Sequence, residues 1–163
     1  MRFQGSAMIT CSFEKGYTAH LRHVVTHAIV EKDGALLLVK RNENLSEGGK
    51  WGLPGGFLDM GETVAQGVLR ELEEETGWTG TVLSLFRINS KPNRPKEDRQ
   101  NVAFDFLIKP IKQIGKPDSE SSKVEWISIE KLLPLDELAF DHGESIALYL
   151  KYRQKSFPLP IID

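Results

Sequence analysis

Four glutamates, Glu71, Glu73, Glu74 and Glu75, follow Arg70 with only Leu72 between them. On a helix, at about 100° per residue, Glu71, Glu74 and Glu75 fall on one side as i, i+3 and i+4 neighbours, where like charges repel. The run also ends the predicted helix. There the dipole disfavours each exposed negative charge by roughly 0.3–1 kcal/mol. A sequence selected for helix stability alone carries lysines at such positions. A divalent cation reverses the sign of this cost, because carboxylate oxygens are hard ligands suited to Mg²⁺ or Mn²⁺. Arg70 can neutralise part of the charge or hold a glutamate in orientation. Taken alone, an acidic run is more often a solvated face. The residues ahead of it decide between the two readings.

Several elements must position these carboxylates. Thr63 is a good N-cap for a helix running to about Thr76, and Gly77 stops it in the usual C′ position. The stripe Val64, Val68 and Leu72 pins the first turns to a core, so that the carboxylates project beyond it into a cleft. Upstream, 23–31 and 35–40 read as two strands joined at Lys32-Asp33-Gly34, a hairpin with a short loop. A polar loop over 41–50 leads into Trp51-Gly52-Leu53-Pro54-Gly55-Gly56, where glycines suit close backbone approach better than a regular helix. Strands are predicted over 79–88, 101–109 and 123–129, and a closing helix over 145–152 with Asp141 or Gly143 near its start. Phe104 and Phe106 share one face of their strand and read as core. Mixed strands and helices of this kind point to an α/β or α+β sandwich.

From Gly56 the chain continues with five residues, Glu62, seven residues, and then Arg70-Glu71-Leu72-Glu73-Glu74-Glu75-Thr76-Gly77-Trp78. This resembles the Nudix box of the Nudix hydrolases at every defining position, including the large apolar residues Leu72 and Trp78. Trp51 to Gly56 is similar to the family's usual approach to the box. The resemblance covers residues 22–155 and implies the family's α/β/α sandwich with a mixed β-sheet. It implies Mg²⁺-dependent hydrolysis of a nucleoside diphosphate linked to another group, with Mn²⁺ able to substitute. Carried over by position, Glu71, Glu74 and Glu75 are the implied metal ligands. Gly55 joins them, and Gly55 and Gly56 let the backbone approach the metal or diphosphate. Glu62 and Arg70 are implied supports, Arg70 fixing carboxylates by charge-assisted hydrogen bonds. Glu73 faces elsewhere. The general base is either a box glutamate or a later-loop glutamate, which Glu120, six residues before Trp126, resembles.

Substrate choice is less legible. Ser90 to Pro95 with Asp98 to Asn101, and Leu138 to His142 with Ile146, resemble the post-box and closing segments of ADP-ribose-type members. Arg94 and Arg99 are candidates to clamp phosphate or ribose, and Arg41 to reach the same diphosphate, although loop arginines are commonly solvated. The runner-up is a nucleoside triphosphate pyrophosphatase that sanitises nucleotide pools, for instance of 8-oxo-dGTP. A non-catalytic nucleotide sensor is the rival of another class, but such domains tend to lose box carboxylates and this chain keeps them.

Composition narrows the field further. The 163 residues suffice for one domain with a real core, read as residues 8–163, residues 1–7 having the look of an expression scar. A net charge of −2 offers no basic field for nucleic acid. No apolar run reaches the roughly 18 residues that span a bilayer. A single cysteine, Cys11, fits a reducing compartment, and a cytoplasmic location is expected. P-loop and Rossmann glycine motifs are absent. His23 and His27 fall four apart in a predicted strand without the zinc-helix glutamate, which argues against zinc. His142 reads as a cap or surface residue at a helix start, with a place near the cleft as the rival. Oligomeric state is not legible in the sequence; family members are often dimers, and a homodimer follows by analogy alone.

Overall fold

The computed structural model describes residues 9–94, 96 and 100–163. A small hairpin, β1 (Ile9–Ser12) and β2 (Thr18–Leu21), stands as its own two-stranded sheet. The main sheet follows with β3 (Val24–Lys32), β4 (Ala35–Arg41), β5 (Trp51–Gly52), β6 (Gly55–Phe57), β7 (Trp78–Asn89), β8 (Val102–Gln113), β9 (Ser121–Ser128) and β10 (Ile161–Ile162). The helices are α1 (Val64–Thr76) and α2 (His142–Gln154).

The sheet is mixed. β3 runs parallel to β8 from Val24↔Val102 to Val30↔Ile108. On its other edge β3 pairs antiparallel with β6 over Val25 to His27, and with β4 only at Glu31 and Lys32. Past that hairpin β4 swings away to pair with β9 and β5. β3 thus has β6 beside its first half, which sets the Gly55-Gly56 backbone next to Thr26 and His27.

Period-2 alternation sorts the apolar side chains into two layers. Ala28 and Val30 of β3, Leu37 of β4, and Phe106 and Ile108 of β8 pack with Val68 and Leu72 of α1. Their neighbours Ile29, Leu36, Leu38 and Leu107 pack on the other face with Phe86, Leu138 and Ile146 of α2. Strands buried on both faces read as continuous apolar runs, which is why 35–39 carries no polar alternation. The result is the expected α/β/α sandwich, with Phe106 in the core and Phe104 packed against it.

Helix α1 keeps its predicted ends. Thr63 accepts from the Gln66 backbone N–H and Gln66 answers in a capping box, while Gly77 closes the helix in the left-handed region and donates to Glu73 O. Strand ends differ from the sequence reading by at most four residues, and α2 starts at His142, with Asp141 at its N-cap position as expected near the helix start. The unpredicted β1, β2, β5, β6 and β10 are short or rich in glycine, and only their pairing partners make them strands. Among the described residues no helix is long and apolar enough to cross a membrane.

Candidate active site

The last turns of α1, the β6 backbone, β3, the loop before β9 and the entry to α2 enclose a cleft of about 450 Å³. That volume suits a small organic ligand. Glu71, Glu74, Asp59, Asp118 and Glu120 line it, together with Arg41, Arg70, Gly55, Gly56, His27, Phe140 and His142.

Arg70 organises the acidic side. Its Nε donates to Glu62 at 2.7 Å, and its Nη1 donates to both Glu71 at 2.8 Å and Glu74 at 2.9 Å. Its Nη2 reaches Glu62 and the Phe57 carbonyl. The hydrogen bond to Glu62 is the main cause of a guanidinium held above its ordinary range, and of a Glu62 carboxyl held below its own. Burial raises Glu71, against the opposing pull of Arg70. Glu75 lies deeper, 4% exposed. Burial pushes its carboxyl up to about 8, the Gly55 N–H opposing and Glu71 adding to the rise. That N–H donates to Glu75 Oε2 at 2.8 Å. Glu73 is exposed.

The glycines are required here by contact. Gly55 has φ +154°, and a Cβ on it would stand 2.0 Å from the Thr26 carbonyl oxygen. A Cβ on Gly56 would press on the Glu71 carboxylate at 2.6 to 2.7 Å. Gly55 runs against the β3 backbone and Gly56 against a carboxylate, and no side chain fits at either.

The donor set suits a hard divalent cation. Glu71, Glu74 and Glu75 offer oxygen ligands only, two of them raised by burial with too little positive charge beside them. As they stand, no three side-chain donors among the described residues converge tightly enough to grip an ion. Arg70 bridges Glu71 and Glu74, and Gly55 holds Glu75. Closing the site on a cation therefore means rotating carboxylates away from these partners.

The remaining predicted residues divide. Arg41 lines the cleft, with Nε donating to Ser46 O at 2.8 Å and its guanidinium 5.0 Å from the Phe140 ring centre. Glu120 lines it from an exposed loop, its N–H donating to Asp118 Oδ1 at 2.9 Å. Arg94 does not line the cleft. It is 5% exposed and grips Asp141 through two hydrogen bonds of 2.7 Å, so its expected phosphate clamp is replaced by an internal ion pair. Burial opposes ionisation of Asp141, but Arg94 overcomes it and holds the carboxyl down to about 2. Arg99 lies outside the described residues.

His142, read from sequence as a cap or surface residue, is 5% exposed and forms part of the cleft wall. His27, set aside with the question of zinc, is 7% exposed and lies beside it, the ring centres 4.5 Å apart. No spacing rule could join residues that meet only through the β3–β8 pairing and the return of the chain into α2.

Comparison with known proteins agrees with this architecture. A family model for the NUDIX domain matches residues 20–149. An ADP-ribose pyrophosphatase of Methanocaldococcus jannaschii is 34% identical over 140 residues, 85% of this chain and 80% of the relative. A Nudix hydrolase from Nitrosomonas europaea shares the fold with TM-score 0.74 and 23% identity, covering 98% of this chain and 94% of its own. A bifunctional NMN adenylyltransferase/ADP ribose pyrophosphatase from Francisella tularensis, solved with AMP and a Mn ion, superposes with TM-score 0.67 and 27% identity. It covers 80% of this chain and 42% of its own. The chain belongs to the Nudix family and is a Nudix hydrolase. Its relatives support action on nucleoside diphosphate derivatives.

Proposed function

We propose that the protein hydrolyses the diphosphate linkage of a nucleoside diphosphate joined to a sugar, with ADP-ribose favoured and Mg²⁺ as cofactor, replaceable by Mn²⁺. The observation that carries this reading is the unbalanced charge of the cleft. Asp59, Glu71, Glu74, Asp118 and Glu120 line it with Glu75 buried behind Gly55, while Arg70 is already committed to carboxylates. Such a wall repels a diphosphate unless a cation joins it. A divalent ion held by Glu71, Glu74, Glu75 and the Gly55 backbone supplies charge that offsets the diphosphate and polarises phosphorus.

The chain's own groups do the rest. Arg41, on the cleft wall, reaches the diphosphate. Arg70 and Glu62 keep the box carboxylates in orientation. Glu120 is the candidate to take the proton of the attacking water, with a box glutamate as the alternative. The new P–O bond forms as the bridging P–O bond breaks, leaving AMP and ribose 5-phosphate from ADP-ribose. Arg94 acts at one remove: by fixing Asp141 it holds the entry to α2, where Phe140 and His142 face the cleft.

The test is incubation with Mg²⁺ and ADP-ribose, ADP-sugars, diadenosine polyphosphates, dGTP and 8-oxo-dGTP, with products resolved by chromatography. AMP and ribose 5-phosphate from ADP-ribose, lost in Glu74→Gln, is the expected result. Pyrophosphate release from a triphosphate as the sole activity would replace the substrate reading with pool sanitation. Binding without turnover would replace it with a sensor.

A further inference from the structure

The chemistry above leaves two buried imidazoles on the cleft wall without a role. His27 Nδ1 lies 2.9 Å from Asp105 Oδ1. Asp105 is 1% exposed, and its other oxygen accepts from Ser145 Oγ at 2.6 Å. Ser145 Oγ in turn accepts from Arg87 Nη1 at 2.9 Å. This chain fixes Asp105 as an acceptor, so His27 carries a proton on Nδ1 and, when neutral, a bare lone pair on Nε2. His142 is arranged the other way round. The Leu53 backbone N–H donates to its Nδ1 at 2.9 Å, so the proton of the neutral ring sits on Nε2. Burial holds this imidazole well below its ordinary range, which keeps it neutral.

The approach to the box is shaped around this ring. A Cβ at residue 52 would stand 2.6 Å from His142 Nδ1, so only glycine lets the chain run past it and present the Leu53 N–H. Neither Nε2 is bonded to a described residue, and both rings line the cleft. One wall therefore offers a hydrogen-bond donor and an acceptor side by side. A phosphate oxygen at neutral pH only accepts and would oppose the His27 lone pair. A hydroxyl both donates and accepts, and a vicinal pair of hydroxyls satisfies both rings at once.

We propose that His27 and His142 form a sugar-reading subsite, His142 Nε2–H donating to and His27 Nε2 accepting from the vicinal hydroxyls of a ribose in the substrate. This rests on the diphosphate reading and deepens it, since the subsite is what favours a substrate with a correctly placed diol. Two riboses carry such a diol in ADP-ribose, that of the adenosine and the terminal one.

The experiment compares kcat/KM with Mg²⁺ for ADP-ribose, its 2′-deoxyadenosine analogue and the methyl ester of ADP, which lacks the terminal ribose. Wild-type enzyme and His142→Asn are assayed side by side. One analogue is expected to fall by about tenfold or more, chiefly in KM, because the imidazoles lose their partner. The analogue that falls identifies the ribose. In His142→Asn the ratio of ADP-ribose to that analogue shrinks towards one. If the wild type treats all three within about twofold, or the ratio survives in His142→Asn, the subsite is overturned while the diphosphate reading stands. If none of the three is cleaved, the diphosphate reading fails and takes the subsite with it. The wild-type comparison needs no variant, so equal rates on all three overturn the subsite even if His142→Asn does not fold.

Discussion

The molecule holds two dense polar clusters, one at the end of α1 and one beneath the entry to α2, and they are built on opposite rules. Beneath α2 every charge described has its counter-charge or donors. Asp141 accepts from Arg94 and Asn89, and Arg87 donates to Asp163, Ser145 and Glu144. At the end of α1 one guanidinium is divided among Glu62, Glu71 and Glu74, and Glu75 is left with a single backbone N–H. The opposite direction of the carboxyl shifts records this: Asp141 is held down to about 2, while Glu75 is pushed up to about 8. Satisfied polar clusters specify a fold, whereas an under-neutralised one stores repulsion that a ligand must relieve.

The contrast breaks if substitutions in the two clusters behave alike. The largest separation is expected from Glu71→Gln. It should lower kcat on the diphosphate substrate by on the order of 10³-fold, equivalent to several kcal/mol of lost transition-state stabilisation. Metal-free thermal stability should hold or rise, because a repelling charge has gone. Arg94→Met should do the converse. Leaving Asp141 charged and unpaired should cost roughly 3–5 kcal/mol in denaturant unfolding, and its loss of activity should follow the loss of folded protein.

A smaller effect is expected at Glu120. If it is the base, Glu120→Gln should cut kcat about 10²-fold or more with little change in KM. Unchanged turnover would return the role to a box glutamate.

Titration sharpens the comparison further. A carboxyl raised in the folded state stabilises the protein fully below its unfolded value near 4.5, and that contribution is lost as pH rises through about 8. The metal-free protein should therefore lose stability from Glu75 between about pH 4.5 and 8, with Glu71, also raised by burial, acting in the same direction. Asp141 has the opposite sign: its contribution is present above 3.8 and is lost as pH falls through about 2. Melting curves across this range should show both limbs, and Arg94→Met should abolish only the acid one.

The two clusters also differ in how far the sequence announces them. The carboxylates are legible because they are local: one helix with Thr63 and Gly77 at its ends places Glu71, Glu74 and Glu75 whatever the tertiary fold does. The α1 core stripe and the two-faced strands follow from the same local periodicity. The α2 cluster is assembled from residues 40 to 90 positions apart, such as Asp105 with Ser145 and Leu53 with His142. No periodicity marks those partnerships. Arg94 accordingly reads in sequence as a candidate substrate clamp, since an arginine beside prolines in a polar loop gives no sign of a buried aspartate 47 residues away. β10 carries no sequence signal for the same reason, two isoleucines becoming a strand only beside Arg87 and Ile88.

The central claim, that the α1 cluster is incomplete without a divalent cation, is tested most directly by melting the protein at pH 8 with and without Mg²⁺, beside Glu71→Gln. Tm is expected to rise with Mg²⁺ for the wild type, and little or not at all for the variant. Equal Tm values with and without Mg²⁺, together with diphosphate turnover that persists in a chelator, would contradict it.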